Sequence, residues 1–341
     1  MQESFSETTP SQQLAELKQR FAENEEVSFF INDELIGLRV DNPFATAIIL
    51  LQGAQLLEFT PRDKPRLIWC SDAVEYKQGK PLRGGIPICW PWFGPLQNNV
   101  EEITRQVEAK DAPQHGFARS QDWSLETIET SRLGVTQLVF ALSDNAVSRQ
   151  YFNKSFQLQL QFTIGESLDV ALKIKNTGMD QLYFTGALHS YFAVYDINKT
   201  RVFGLDNLPF IDSVNAGKSS VQSGALGITQ ETDRIYFAPE IRESQEAQDP
   251  LAHERNIELS RVPGSDILVK CPDRKIKVRS QGSKSVIVWN PWIEKSRGLS
   301  QFKDDEYLEM LCVETANAHL DYISLAPQQE HVLAANIAYQ D

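Results

Sequence analysis

The sequence has no apolar window long enough to cross a membrane as a helix. It also lacks any run of Lys and Arg. With 33 basic residues against 46 acidic ones, the formal net charge is −13. Such a field repels a polyanion, so no nucleic-acid partner is expected. The stretch Met1 to Pro10 is polar and acidic, without the basic start and apolar core of a secretory signal. These absences lead to the expectation of a soluble, cytoplasmic chain with no membrane partner. The four cysteines (Cys70, Cys89, Cys271, Cys312) show no Cys-x-x-Cys spacing, which favours free buried thiols over a zinc or disulfide framework. Asn153-Lys-Ser155 and Asn198-Lys-Thr200 fit the glycosylation pattern, but a cytoplasmic chain would not meet that machinery. No two histidines stand at metal-ligand spacing, which leaves His253, His319 and His331 as surface or structural residues. There is no Gly-x-Ser-x-Gly elbow for a hydrolase serine. Gly217-Lys-Ser219 echoes a phosphate-binding loop, but Asp212 stands where that loop needs its first glycine.

What is present reads as a β protein with apolar mass for a sizeable core, 41% of residues being hydrophobic and 23% charged. Leu14, Leu17 and Phe21 recur at helical spacing over Ser11 to Phe21, with Ser11 as the candidate N-cap. After that the period switches to two. Phe156 to Ile164 alternates apolar and polar residues, Gly165-Glu-Ser167 supplies a turn, and Leu168 to Ile174 alternates again, which predicts a hairpin. Strands are also expected over Ala45 to Phe59, Gly134 to Leu142, Leu182 to Val194, Asp266 to Lys270, Lys275 to Arg279, Val286 to Trp289 and Glu330 to Tyr339. Strands do not alternate with long helices, which argues against a doubly wound fold. The expectation is an all-β chain, with an N-terminal helical extension over 1–25 and one large antiparallel β-sandwich domain over 26–341.

Several segments carry chemistry. Arg83-Gly-Gly-Ile-Pro-Ile-Cys-Trp-Pro-Trp-Phe-Gly-Pro95 is too rich in Pro and Gly for regular structure. As a stiff loop it could present Arg83 and stack a sugar on Trp90, Trp92 or Phe93; it could equally plug the core. Gln114-His-Gly-Phe-Ala-Arg119 offers His115 and Arg119. Arg83 and Arg119 together are the cations an anionic ligand would need in so acidic a chain, unless each pairs with a surface carboxylate. His189 sits in a strand-like run, commonly a structural place, yet imidazole can give and take a proton near neutral pH. Glu314 follows the apolar run Met310 to Val313, so this carboxylate needs a partner or a purpose, a buried ion pair included. Asp233 could accept from sugar hydroxyls or pair with Arg234. Trp289-Asn-Pro-Trp292 is a second aromatic loop entry.

Arg83-Gly-Gly-Ile-Pro87 with Phe93-Gly94, Gln114 to Arg119, Leu188-His-Ser-Tyr-Phe192, Thr232-Asp-Arg-Ile-Tyr236 and Cys312-Val-Glu314 occur in one order along most of the chain. This ordered set resembles the hexose-6-phosphate mutarotases (glucose-6-phosphate 1-epimerases) of the aldose 1-epimerase superfamily. The resemblance implies a galactose-mutarotase-like supersandwich and anomer interconversion of a hexose 6-phosphate without cofactor or metal; separately, the chain is expected to act as a monomer. It implies His189 as general acid and Glu314 as general base, with the acid protonated and the base ionised. It places Arg83, Gln114, Arg119 and Asp233 on substrate-binding positions, and His115 beside the reacting end. Trp90 and Trp92 stand where smaller apolar residues are expected, and the acidic stretch Arg242 to Glu254 reads as an enlarged loop. Two other classes compete: a glycoside hydrolase or lyase on a related sandwich, which for hydrolysis needs two carboxylates, and a catalytically silent sugar-phosphate-binding or regulatory protein. An aldose 1-epimerase acting on unphosphorylated sugars is a nearer alternative.

Overall fold

The computed structural model describes residues 9–109, 111–238 and 266–340. Arg242 to Glu254, with His253, therefore lies outside the described residues. Among those described, the strands form a nine-stranded sheet, an eight-stranded sheet, a four-stranded sheet over 27–61 and one separate two-stranded pair. The ladders are antiparallel.

The predicted hairpin lies in the nine-stranded sheet as Phe156–Ile164 and Leu168–Asn176, paired from Phe156↔Asn176 to Ile164↔Leu168. Its period-two pattern buries Phe156, Leu158, Leu160, Phe162 and Ile164 on one face. Glu330–Tyr339 pairs with Leu168–Asn176 on one side and Lys275–Gln281 on the other. At the heart of the eight-stranded sheet, Ser285–Asn290 and Met310–Asn317 are neighbours, and every residue of both is buried. A strand buried on both faces has no polar alternation. One face of this pair, with Val286, Val288, Leu311 and Val313, joins the main core shared with the nine-stranded sheet. The other face, with Ile287, Trp289, Cys312 and Ala316, belongs to a smaller apolar cluster that floors a cavity.

Three expectations about elements need correction. The helix runs Pro10–Arg20 and is capped by Thr9, whose hydroxyl accepts from the Gln12 N–H while the Gln12 side chain accepts from the Thr9 N–H. Pro10 suits the first helical position because its φ is already helical, so the cap falls before it and not at Ser11. Ala45 to Phe59 is two strands, Ala45–Leu50 and Leu56–Pro61, separated by a turn in which Gly53 and Ala54 have φ of 70° and 42°. Leu182 to Val194 is three pieces, Leu182–Phe184, Gly186–Leu188 and Tyr191–Ala193. The last of these breaks matters for the site.

Candidate active site

His189 and Ser190 form the interruption between Gly186–Leu188 and Tyr191–Ala193, and both pieces pair with Met310–Asn317. The register is Leu188↔Thr315 on one side of the gap and Tyr191↔Cys312 on the other. Continued across the gap, that register sets His189 opposite Glu314. The two side chains meet, with His189 Nε2 3.4 Å from Glu314 Oε1. The Val313 N–H donates to the Ser190 carbonyl (3.2 Å) and the His189 N–H to the Pro87 carbonyl (3.1 Å), so the interruption is itself hydrogen-bonded. The same alternation puts Trp289 and Ile287 opposite Cys312 and Glu314, and Asp233 and Ile235 opposite Trp289 and Ile287. One face of the sheet thus carries Asp233, Trp289, Glu314, His189 and Tyr191.

A cavity of about 1040 Å3 opens on that face. It is lined by Arg83, Phe93, Gln114, His115, Arg119, His189, Asp233, Trp289 and Glu314, nine of the eleven residues expected at the site. The other two are corrected: Trp90 and Trp92 are fully buried and do not reach the cavity. Trp90 packs edge-on to Phe117, Phe152 and Phe156, and the Trp92 indole donates to the Pro113 carbonyl at 2.8 Å. Their Pro-rich loop is a core plug at its tryptophans and a site wall at Phe93, so both readings of it hold in part. Gly116, at φ 70°, lets this loop close on the next one, because a Cβ there would sit 2.0 Å from the Trp90 carbonyl oxygen.

The electrostatics follow from burial. His189 is 7% exposed, its ring stacked on Tyr191 with centroids 4.8 Å apart. Burial, then Arg119 and Arg83, bring its pKa from 6.5 down to about 3. Glu314 is 1% exposed, and burial, reinforced by the nearby Asp233, pushes it well above the usual carboxylate range. Near neutral pH the imidazole is therefore uncharged, and burial works against the ionised form of Glu314. The expectation of a protonated His189 is corrected by this shift, and for Glu314 burial acts against the expected ionised form. Among the described residues, His189 Nδ1 and Glu314 Oε2 have no hydrogen-bond partner.

His115 has φ 65°, a strained conformation for a non-glycine residue. Two bonds to Gly94 hold it there: its N–H donates to the Gly94 carbonyl (2.9 Å), and its Nδ1 accepts from the Gly94 N–H (3.1 Å). Nδ1 is thereby the acceptor, which leaves Nε2–H as a donor on a ring kept neutral by burial and the nearby Arg119. Arg119 donates to the Gln114 carbonyl at 2.6 Å. Among the described residues neither Arg83 nor Arg119 has a carboxylate partner. The alternative that each pairs with a surface acid is thus not what the structure shows. Asp233 does not pair with Arg234, which reaches Asp212 at 3.5 Å; burial raises Asp233, with Lys295 acting against the shift. His331 is structural, bonded through Nε2 to Asn317 Oδ1 at 2.9 Å, whereas His319 lines the cavity.

Sequence reasoning missed Tyr191, Lys295 and the brace behind Phe93. In that brace Thr185 Oγ1 accepts from the Phe93 N–H (2.8 Å) and donates to Asn99 Oδ1 (2.5 Å). Tyr191 was visible in principle as the residue two beyond His189, on the same face of a strand.

The antiparallel sheets, the buried His–Glu pair and the cavity above it are features of a small-molecule site in an all-β fold. The aldose 1-epimerase family matches residues 38–338, and the chain belongs to that family. It is an enzyme of galactose-mutarotase-like fold. Proteins provisionally named glucose-6-phosphate 1-epimerase are similar to it. The one from Salmonella typhimurium is 33% identical, the match covering 87% of this chain and 86% of that one. The one from Cenchrus ciliaris is 30% identical, over 83% of this chain and 78% of that one. Among solved structures, one described provisionally as a mutarotase from Salmonella typhimurium is 28% identical, with TM-score 0.78 and coverage of 96% and 99%. A galactose 1-epimerase from Lactobacillus acidophilus has TM-score 0.63 at 11% identity, covers 92% and 98%, and speaks for the fold alone. No helix among the described residues is long and apolar enough to cross a membrane.

Proposed function

We propose that this enzyme interconverts the α and β anomers of a hexose 6-phosphate, glucose 6-phosphate first among them, with His189 and Glu314 as its acid–base pair. The observation that carries this is the pair itself: two buried, mutually facing groups 3.4 Å apart, in a cavity that also holds two arginines. In this reading the pair shares one labile proton. Its passage from Glu314 to His189 leaves a carboxylate that takes the anomeric hydroxyl proton and an imidazolium that protonates the ring oxygen. The C1–O5 bond opens to the aldehyde, rotation about C1–C2 exposes the other carbonyl face, and the roles reverse as the ring recloses. Opening and closing are the same step run in two directions, so a pair that can hold its proton on either member serves both. Each group is expected to contribute about a hundredfold or more.

Arg83 and Arg119 would hold the 6-phosphate through charge-assisted hydrogen bonds, with the His115 Nε2–H, Gln114 and Asp233 on sugar oxygens and Phe93 and Trp289 against C–H faces. This reading places the enzyme in the cytoplasm, acting as a monomer on a small phosphorylated sugar. The test of the phosphate assignment is to compare glucose 6-phosphate with glucose in Arg83→Gln and Arg119→Gln. KM should rise at least tenfold for the phosphosugar and little for glucose; equal rises for both would refute it.

A further inference from the structure

The strand that presents Glu314 also carries a thiol to the same face two residues earlier, at Cys312. One nitrogen of His189, Sγ of Cys312 and one carboxylate oxygen of Glu314 all lie within 4.8 Å of one another, and all three residues are buried. Such a set is built like a metal centre. The 3.4 Å between His189 Nε2 and Glu314 Oε1 is about the edge of a tetrahedron whose centre lies ~2.0–2.1 Å from each ligand, the bond length zinc takes to nitrogen and oxygen. The second carboxylate oxygen, Glu314 Oε2, is buried with no hydrogen-bond partner among the described residues, so a carboxylate binding through both oxygens would also satisfy it.

We propose that His189, Cys312 and Glu314 form an inhibitory zinc site, in which the ion occupies the acid–base pair and stops turnover. A thiolate, an imidazole and a carboxylate suit zinc, whereas magnesium and calcium prefer oxygen ligands alone. Three protein ligands leave the fourth position open to the cavity, for water or a sugar hydroxyl. Binding displaces the thiol proton and the labile proton of the His–Glu pair to solvent, and the two anionic ligands then neutralise the ion. The sulfur has to close on the other two atoms by about 1 Å, since a zinc–sulfur bond is ~2.3 Å long. Arg83 and Arg119 face the same cavity and oppose the ion, which makes it a reversible inhibitor and not a resident group. Inhibition rests on the proposed acid–base role of the pair; metal binding does not.

The test uses the full-length protein freed of metal by chelation. Cobalt(II), titrated in zinc's place, should give one equivalent of a thiolate-to-metal charge-transfer band, and equilibrium dialysis should find one zinc. Cys312→Ser and Cys312→Ala should abolish the band and weaken zinc binding at least tenfold. Their metal-free anomerisation rates should stay within about twofold of the parent, and zinc inhibition of the parent should reverse with chelator. The band separates the two claims. If it appears with Cys312 dependence but the metal-free protein does not anomerise hexose phosphates, the functional reading falls and the metal site stands. If anomerisation is present but zinc binds equally to the parent and to folded Cys312 variants, or does not bind at all, the metal site is overturned.

Discussion

Replacing His189 by Asn should make the protein less sensitive to acid. The unfolded chain holds a histidine near 6.5, whereas burial and the two arginines hold it at about 3 in the folded state. Between those values the unfolded state binds a proton that the folded state refuses, so stability falls as pH drops from 6.5 toward 3. Each pH unit inside that window is worth ~1.36 kcal/mol. Acidification from pH 6.5 to pH 4 therefore costs the parent ~3 kcal/mol through this one residue. Glu314 is present in both proteins, so its own titration cancels to first order in the difference. The variant loses its ring stacking on Tyr191 at every pH, so that loss cancels when the change with pH is compared. The assay is urea unfolding of parent and variant at pH 7 and pH 4, read by tryptophan fluorescence. The parent should lose ~3 kcal/mol more than the variant on acidification. Equal acid losses in the two proteins would refute the claim that His189 is held neutral by its surroundings.

Glu314→Gln should act at the other end of the pH scale. A carboxyl raised by burial gives stability that is present below about 4.5 and lost as pH rises through the folded value, so the variant should gain on the parent between pH 5 and pH 8 in thermal unfolding. Gly116→Ala places a methyl 2.0 Å from the Trp90 carbonyl oxygen, at a φ that disfavours side chains. It should destabilise the fold by at least ~2 kcal/mol, read as a lowered denaturation midpoint.

How much of this could be read from the sequence differs by element. The hairpin Phe156–Asn176 was plain because one face is wet, and alternation marks it. The wall of the site was harder, because Ser285–Asn290 and Met310–Asn317 are buried on both faces and carry no period. There the informative signal was an exception: a single carboxylate, Glu314, at the end of an apolar run. Trp90 and Trp92 were misjudged for a related reason. Aromatic residues in a Pro-rich loop fit a sugar platform and a core plug equally well, and only the packing of Phe117, Phe152 and Phe156 around them decides. The neutral state of His189 was also beyond composition, since it depends on how completely the fold strips water from the proposed acid–base pair. The facing of His189 and Glu314 arises from strand register across a two-residue gap, a long-range property that local pattern does not encode.

The central claim is that this pair performs the anomerisation, and proton exchange spectroscopy on glucose 6-phosphate tests it directly. Parent protein should accelerate α–β exchange well above the buffer rate. Folded His189→Asn and Glu314→Gln should each lose about a hundredfold or more of that acceleration. Exchange as fast with both variants as with the parent, or no acceleration by the parent, would contradict the account.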